Sequence, residues 1–168
     1  MSPRQISEIV DPTINLKGIS SVYNVKPDGN CGFRAISEHL KRGEDDWKSV
    51  KAEMLKHLAS KMDFYKALLR LDGVEQLLET LKDTSDNQGD FEKWFSVPDC
   101  AMVACNTYDI AVSIHSSAES QLFIPFFNMP ISVKPIILQL TSSHFYLVQL
   151  KPKSQYKAPP LNPTYLPI

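Results

Sequence analysis

The chain has 168 residues, which is enough for one domain and short for two. Hydrophobic residues make up 43% of it and charged residues 22%, a balance that is typical of globular domains and excludes a disordered chain or a coiled coil. The formal net charge is -1. Because nucleic-acid-binding domains usually carry a basic surplus, DNA and RNA are disfavoured as the main partner.

The sequence carries no sign of export or of membrane insertion. Three cysteines are an odd and low number for the disulfide framework of a small secreted protein. Residues 1–5 lack the apolar run of a signal peptide, and apolar stretches such as 123–127 are far too short to cross a bilayer. We therefore expect an intracellular protein, cytoplasmic or nuclear, and a monomer that was cut from a longer polypeptide.

The first half of the chain has the periodicity of helices. Apolar residues recur at helical spacing over residues 33–40, 47–62 and 74–81. Pro98 and Asp99 suit the first turn of a short helix over residues 99–108. This half is therefore predicted to be mostly helical, with a strand over residues 22–25 before the first helix.

The second half has the composition of strands. Runs rich in β-branched and aromatic residues, separated by Ser, Asn and Pro, cover residues 110–114, 121–124, 134–140 and 144–150. One strand, then helices, then several strands predict an α+β or α/β domain with a single central sheet.

The two ends of the chain differ from this domain, which we place at residues 21–151. Residues 1–20 are interpreted as an N-terminal extension. Five of the twelve prolines fall within residues 152–168. Such a tail continues neither a helix nor a sheet, so we expect it to run extended over the surface or out into a linker, and to contribute little to the core.

The most informative segment is the turn that leads into the first long helix. Asp28, Gly29 and Asn30 form turns readily, and Cys31 stands where the helix begins. Unpaired amides and the helix dipole favour a thiolate at such a position, and amides of the turn can form an oxyanion hole. Glycines on both sides of Asn30 and Cys31 allow close approach of the backbone. The alternative is a helix cap followed by a buried, inert cysteine.

A thiolate nucleophile needs a base, and one of the four histidines is best placed to supply it. His144 opens the strand over residues 144–150, and a strand end holds a side chain rigidly. His39 lies too far along the helix that Cys31 begins, His57 lies on a solvated helix face, and His115 precedes a turn. From position alone, a surface role for His144 stays open.

Three blocks of this sequence, in order, resemble the OTU (ovarian-tumour) family of cysteine proteases. Residues 28–35, DGNCGFRA, are similar to the family signature D-G-N-C-x-F-R-[AS]. Trp94 followed by the segment 99–104 is similar to the family's tryptophan block. His144, followed by Phe145, stands where the family has its catalytic histidine and an aromatic residue. The resemblance covers residues 22–150.

This resemblance implies a papain-like α+β fold with a central, mostly antiparallel sheet flanked by helices. It implies an isopeptidase that releases ubiquitin or a ubiquitin-like modifier from lysine, with Cys31 as nucleophile and His144 as base and later acid. The loop around Gly29, Asn30 and Gly32 would supply the oxyanion hole. This chemistry needs no metal or other cofactor.

Two roles are compatible with the position of Trp94 in the sequence. It would cover the channel for the Gly-Gly tail of the substrate, or it would be an aromatic wedge between helix and sheet.

One position departs from the family pattern. The residue two after the histidine is often Asn or Asp, which orients the imidazole, whereas this chain has Tyr146. Positions 144 and 146 share a strand face, but the tyrosine hydroxyl reaches too far. Asp28 is our first candidate for the orienting group, and Asp11 and Asn15 follow.

Three hypotheses therefore stand. The first is an active deubiquitinase with a triad or a Cys–His dyad. The second is an inactive domain that binds ubiquitin or anchors a larger protein. The third is a papain-like hydrolase that acts on other amides.

Overall fold

The structure is a computed structural model, and it describes residues 1–85, 91–132 and 134–163. These residues form five α-helices and a five-stranded sheet. The helices are α1 (Pro3–Ile9), α2 (Cys31–His39), α3 (Trp47–Ser60), α4 (Met62–Lys82) and α5 (Asp99–Tyr108). The strands are β1 (Ile19–Asn24), β2 (Val112–Ser116), β3 (Gln121–Phe123), β4 (Ile136–Thr141) and β5 (His144–Leu150).

The sheet has the strand order β1-β5-β4-β2-β3. Only β4 and β2 pair in parallel, while β1 with β5, β5 with β4, and β2 with β3 are antiparallel. The predicted α+β class with a mostly antiparallel sheet is confirmed. β1 starts three residues earlier than expected, and α4 starts at Met62 rather than near residue 74. Helix α1 was not predicted.

Alternate residues of the central strands face two separate apolar clusters, because successive side chains of a strand point to opposite faces. Leu138 and Leu147 join the main core with the buried side chains of α2, α3, α4 and α5. Ile137 and Val148 face the other way, against Val10 and other residues of the N-terminal segment. Helix α2 packs directly on β5, and this contact carries the first residue of α2 to the site described below.

The N-terminal segment and Tyr156 of the tail lie against this second face, and the tail continues to the edge of β3. Val10 and Ile14 are buried there, so residues 1–20 are built into the fold rather than forming a separate extension. In the tail, the Asn162 amide donates to the Leu122 carbonyl (3.0 Å), and the Leu122 amide donates to the Pro160 carbonyl (2.9 Å). The edge of β3 offers unpaired backbone groups, which explains why this short stretch between prolines pairs with it.

We expected the tail either to run extended over the surface or to lead away as a linker. Residues 152–163 run extended over the surface. We expected the tail to contribute little to the core. Asn162 is nevertheless buried, so this part of the tail packs against the domain. Residues 164–168 lie outside the described residues. None of the helices in the described part of the chain is both long and apolar enough to cross a bilayer.

Candidate active site

Cys31 is the first residue of α2, as the sequence predicts, and 5% of its surface is exposed. The turn before it brings the Cys31 amide to the Asp28 carbonyl (3.3 Å), and the Arg34 amide to the Asn30 carbonyl (2.9 Å). The sulfur therefore sits at the end of the helix where amides point outward and favour negative charge.

A buried ion pair fastens this turn. The Arg34 guanidinium donates to both oxygens of the Asp28 carboxylate, with Nη2 at 2.8 Å from Oδ2 and Nε at 3.1 Å from Oδ1. Both side chains are almost fully buried. Arg34 also pairs with Asp45 (3.0 Å) and lies over the Trp47 ring. A two-pronged arginine–carboxylate contact fixes direction as well as distance, so the shape of the loop is set by Asp28.

The other residues of the loop have distinct partners. The Asn30 amide donates to Asp28 Oδ1 (2.9 Å), and its Nδ2 donates to the Ser85 carbonyl (3.1 Å), beyond the end of α4. The Gly29 amide has no acceptor among the residues that the structure describes. Gly29 itself is buried, and its part in an oxyanion hole stays a prediction.

Position 32 requires glycine because the Phe95 side chain packs directly against the backbone there. A Cβ atom at this position would lie 2.5 Å from Phe95 Cβ and 2.6 Å from its Cγ, well inside contact distance. Phe95 packs edge-on against Phe33 and Phe145 and cannot move freely. The glycine lets the nucleophile loop and the aromatic wall pack together.

A cavity of about 290 Å³ opens beside the sulfur. Its wall includes Cys31, Trp94, Phe95, Leu140 and Phe145. The Trp94 ring packs at a tilt against the exposed Phe91, with ring centroids 4.5 Å apart. Trp94 therefore lines the space next to Cys31, as the channel interpretation expects.

His144 is the first residue of β5, and its imidazole is held by a residue that the sequence analysis missed. Its Nε2 lies 2.8 Å from Asn24 Oδ1. The Tyr146 ring packs edge-on against the imidazole at 4.7 Å between centroids. Tyr146 thus covers the ring, and the hydrogen bond comes from Asn24.

The register of the sheet explains why Asn24 reaches His144. Asn24 ends β1 and pairs with Tyr146 on β5, so it is the diagonal neighbour of His144 on the same sheet face. Diagonal cross-strand neighbours lie close enough for long side chains to meet. The sequence signal was an asparagine at the end of a predicted strand, but only the pairing of β1 with β5 gives it a partner.

The three candidates named for the orienting group lie elsewhere. Asp28 bonds to Arg34 and not directly to His144, because the buried guanidinium takes up both carboxylate oxygens. Asp11 accepts hydrogen bonds from Thr13 and Ser120. Asn15 caps a short turn by accepting from the Lys17 amide (3.0 Å). A part for Asp28 in catalysis, through the shape of the loop, stays a prediction.

The environment shifts the pKa of both groups against ionisation. Burial raises the pKa of the Cys31 thiol, although the Phe145 amide stabilises the thiolate, and Asp28 adds to the rise. Burial lowers the pKa of His144, while the charges of Asp28 and Glu44 act in the opposite direction. The expected low pKa of Cys31 is thus not found, because desolvation outweighs the helix terminus. Both shifts favour a neutral thiol and a neutral imidazole.

Phe145 connects the two groups. Its amide stabilises the thiolate form of Cys31, and His144 lies in sequence between Phe145 and Ser143, which are both residues of the cavity wall. Both residues are described, and no hydrogen bond joins the Cys31 and His144 side chains. In unliganded enzymes such bonds are often long and tighten when substrate binds.

The remaining thiols and histidines have other surroundings. Cys100 is fully buried, and burial raises its pKa to about 11. Cys105 is also fully buried. His57 bonds to the Tyr65 hydroxyl (2.8 Å), and the buried His115 lies on β2, two strands away from His144, with its Nε2 2.6 Å from the Tyr156 hydroxyl. Only Cys31 among the cysteines lines the cavity.

Comparison with solved structures finds the same fold in several proteins. The viral OTU domain protease from Dera Ghazi Khan virus superposes with a TM-score of 0.56 at 18% identity, over 79% of this chain and 87% of that one. The OTU domain of OTUD1 gives 0.56 at 16% identity, over 76% and 83%. The Hazara virus OTU, solved bound to ubiquitin, gives 0.51 at 16% identity, over 78% and 81%.

No protein-family model and no curated protein sequence matches the chain. At such low identity the structural likeness establishes the fold. The chain therefore has the OTU fold, as the resemblance in its motifs implies.

Proposed function

We propose that this OTU-fold chain is a thiol-dependent isopeptidase that releases ubiquitin, or a ubiquitin-like modifier, from lysine. The single observation that carries the proposal is the arrangement around the cavity. Cys31 begins α2 in a loop fixed by Asp28 and lines the cavity, and His144, held by Asn24, lies in sequence between Ser143 and Phe145, two residues of the cavity wall. A structurally similar domain, the Hazara virus OTU, binds ubiquitin.

The hydrogen bond to Asn24 assigns the two nitrogens of His144. Asn24 Oδ1 is an acceptor, so Nε2 carries the proton, and Nδ1 is left to accept one. The imidazole can then take the proton of the Cys31 thiol through Nδ1. Asn24 is a positioning residue in this scheme, since it holds the tautomer and the orientation of the ring.

The reaction then proceeds in two halves. As His144 takes the thiol proton, the sulfur attacks the carbonyl carbon of the isopeptide bond, and the negative oxygen is stabilised by amides of the loop from Gly29 to Cys31. The C–N bond breaks as His144 gives the proton to the lysine amine, which leaves a thioester on Cys31. Water, deprotonated by His144, attacks the thioester and returns the free thiol.

The cavity accounts for the acyl side of the substrate. A glycine-rich modifier tail, which has no side chains to place against Trp94 and Phe95, is the occupant that we propose for this cavity. The three cysteines are unpaired, which suits the reducing intracellular compartment that we propose for the protein.

The second candidate function is a ubiquitin-binding module without turnover. Two observations favour it, namely the raised pKa of Cys31 and the missing hydrogen bond between Cys31 and His144. A third candidate, hydrolysis of other amides, would use the same two residues with a different occupant of the cavity.

Ubiquitin carrying an electrophile at its C-terminus separates these candidates. An active isopeptidase forms a stoichiometric covalent adduct, seen by mass spectrometry, with the wild type and with Cys105→Ala but not with Cys31→Ala. A binding module shows affinity for ubiquitin by calorimetry without an adduct. Failure of both would contradict the proposal, and hydrolysis of another amide that is lost in Cys31→Ala would favour the third candidate.

A further inference from the structure

A row of polar side chains crosses the sheet on the face that holds His144. Four directly paired residues form it, one on each of β1, β5, β4 and β2, and these are Asn24, Tyr146, Gln139 and His115. Directly paired residues point to the same face, so this row starts beside the catalytic histidine and ends at the far strand. The row shares the face that the N-terminal segment covers.

The N-terminal segment is bonded to this row at β4. The Asp11 amide donates to Gln139 Oε1 (2.8 Å), and Gln139 Nε2 donates to Thr141 Oγ1 (3.1 Å). The Thr141 hydroxyl in turn donates to the Ile9 carbonyl (2.8 Å). Residues 9–11, which we call the strap, are thus tied to the last residues of β4.

The strap contacts β4 at Thr141, next to the turn that leads into His144. Thr141 pairs directly with His144, and only Ser142 and Ser143 connect them. Both serines have positive φ, 52° and 60°. Non-glycine residues hold this conformation at a cost, and they keep it only where their surroundings determine it. The strap and Gln139 are the surroundings on the β4 side of the turn.

A buried cluster anchors the strap from behind. Asp11 Oδ2 accepts from Ser120 Oγ (3.0 Å) and lies 3.4 Å from His115 Nδ1. His115 is 1% exposed, and its Nε2 lies 2.6 Å from the Tyr156 hydroxyl. Neighbouring Val10 is buried in the second apolar cluster. The strap is therefore held by hydrogen bonds and by apolar packing.

We propose that the strap is a positioning element for the catalytic histidine, in which Asp11, Gln139 and Thr141 hold the β4–β5 turn so that His144 faces Cys31. This inference rests on the proposed function for its catalytic meaning. Its structural content, the control of the His144 ring by the strap, stands independently of any substrate.

Thr141→Val tests the inference, because it removes the hydroxyl and keeps the β-branched shape. The matched control is Thr107→Val, which removes a hydroxyl bonded to the Val103 carbonyl (2.7 Å) in α5. We expect Thr141→Val to lower kcat about 10-fold with little change in KM, since small misplacements of catalytic groups are costly. Thr107→Val should leave kcat unchanged.

The second readout is the NMR signal of the His144 ring during a pH titration. Thr141→Val should shift or broaden it, whereas Thr107→Val should not. If Thr141→Val does not fold, Asp11→Asn takes its place, because it keeps the amide bond to Gln139 and weakens only the anchor. We expect Asp11→Asn to produce the same changes at smaller size.

Unchanged His144 signals in both variants, with unchanged kcat, would overturn the inference. If the wild-type protein shows no turnover, the proposed function is contradicted but the inference about the strap is not. The NMR titration still tests whether the strap controls the His144 ring. A fall in melting temperature with unaltered His144 signals would show a purely structural strap and would also overturn it.

Discussion

The two halves of the site are supported in different ways. The nucleophile side is local: Asp28, Asn30, Cys31 and Arg34 lie within seven consecutive residues, and the ion pair joins positions 28 and 34. The histidine side is assembled from distant parts of the chain, since Asn24 on β1 meets His144 across 120 residues. Local contacts fix the loop as soon as α2 forms, whereas the ring of His144 depends on completion of the sheet.

This difference has a thermodynamic side. Opening the Asp28–Arg34 pair would leave a buried charge without its partner. Because this is unfavourable in free energy, the ion pair holds the loop rigid. The bond between Asn24 and His144 lies at a half-exposed strand end, where a single hydrogen bond contributes about 1 kcal/mol. We therefore expect changes on the nucleophile side to affect stability and chemistry together, and changes on the histidine side to affect chemistry alone.

The largest effects should come from the two reacting groups. Cys31→Ala and His144→Ala should each lower kcat/KM for a ubiquitin C-terminal amide by at least about 10³-fold, and the double variant should lose no more, because the pair acts as a unit. Steady-state hydrolysis measures this, with His57→Gln as a histidine control away from the cavity. Substantial turnover by Cys31→Ala would contradict the proposed nucleophile.

The next largest effect is expected for a change on the nucleophile side only. Asp28→Asn should reduce kcat/KM by about 10²-fold, in line with other changes that disturb a triad, and should also lower the melting temperature. Its cause is a loosened loop with Arg34 left without its charge partner. Full activity with an intact Cys31 alkylation rate would show that the loop does not need this carboxylate.

Asn24→Ala should reduce kcat by about 10-fold or more through loss of the ring's orientation, with a melting temperature close to that of the wild type. Asn15→Ala is the matched control, because Asn15 caps a turn and makes no contact with His144. Tyr146→Phe should be nearly silent, since Tyr146 contributes its ring. If Asn15→Ala or Tyr146→Phe reduces kcat while Asn24→Ala does not, the assignment of Asn24 is wrong.

The same division decides how much the sequence could predict. The helix start at Cys31, the strand start at His144 and the α+β class follow from local patterns, and all of these are found in the structure. Asn24 could not be assigned, because its partner depends on the β1–β5 register and on antiparallel pairing over 120 residues. Tail pairing on β3 was missed for the same reason, since proline content describes a segment and not the edge that receives it.

The pKa of Cys31 was predicted in the wrong direction for a related reason. The helix terminus is visible in the sequence, whereas the aromatic walls that desolvate the sulfur come from β5 and from residues before α5. Burial is a property of the assembled fold, and here it is stronger than the local dipole.

A smaller effect is expected at Gly32, where the two halves meet. Gly32→Ala would push Phe95 away from the loop, so we expect about 10-fold loss in kcat/KM from a displaced cavity wall. Gly73→Ala in α4 is the control, because its Cβ meets nothing closer than 3.3 Å. Steady-state kinetics on both variants measures the difference. Equal activity of the two would show that Phe95 yields without consequence.

The smallest effect is a displacement of the pH profile, and it tests whether the resting pair is neutral. His144 must be unprotonated to accept the thiol proton, and burial lowers its pKa below the ordinary value of 6.5. Activity is therefore present above this lowered pKa and is lost as the pH falls through it, so kcat/KM should hold steady down to below pH 6.5. Burial also raises the pKa of Cys31, so alkylation of the free enzyme by iodoacetamide should be slow at neutral pH, with its midpoint above pH 9.0, the ordinary thiol value. In Asn24→Ala the acid limb should move while the alkylation profile stays, because Asn24 contacts only the histidine. An alkylation midpoint well below neutral pH would mean that Cys31 and His144 form an ion pair at rest, and that the helix terminus outweighs burial after all.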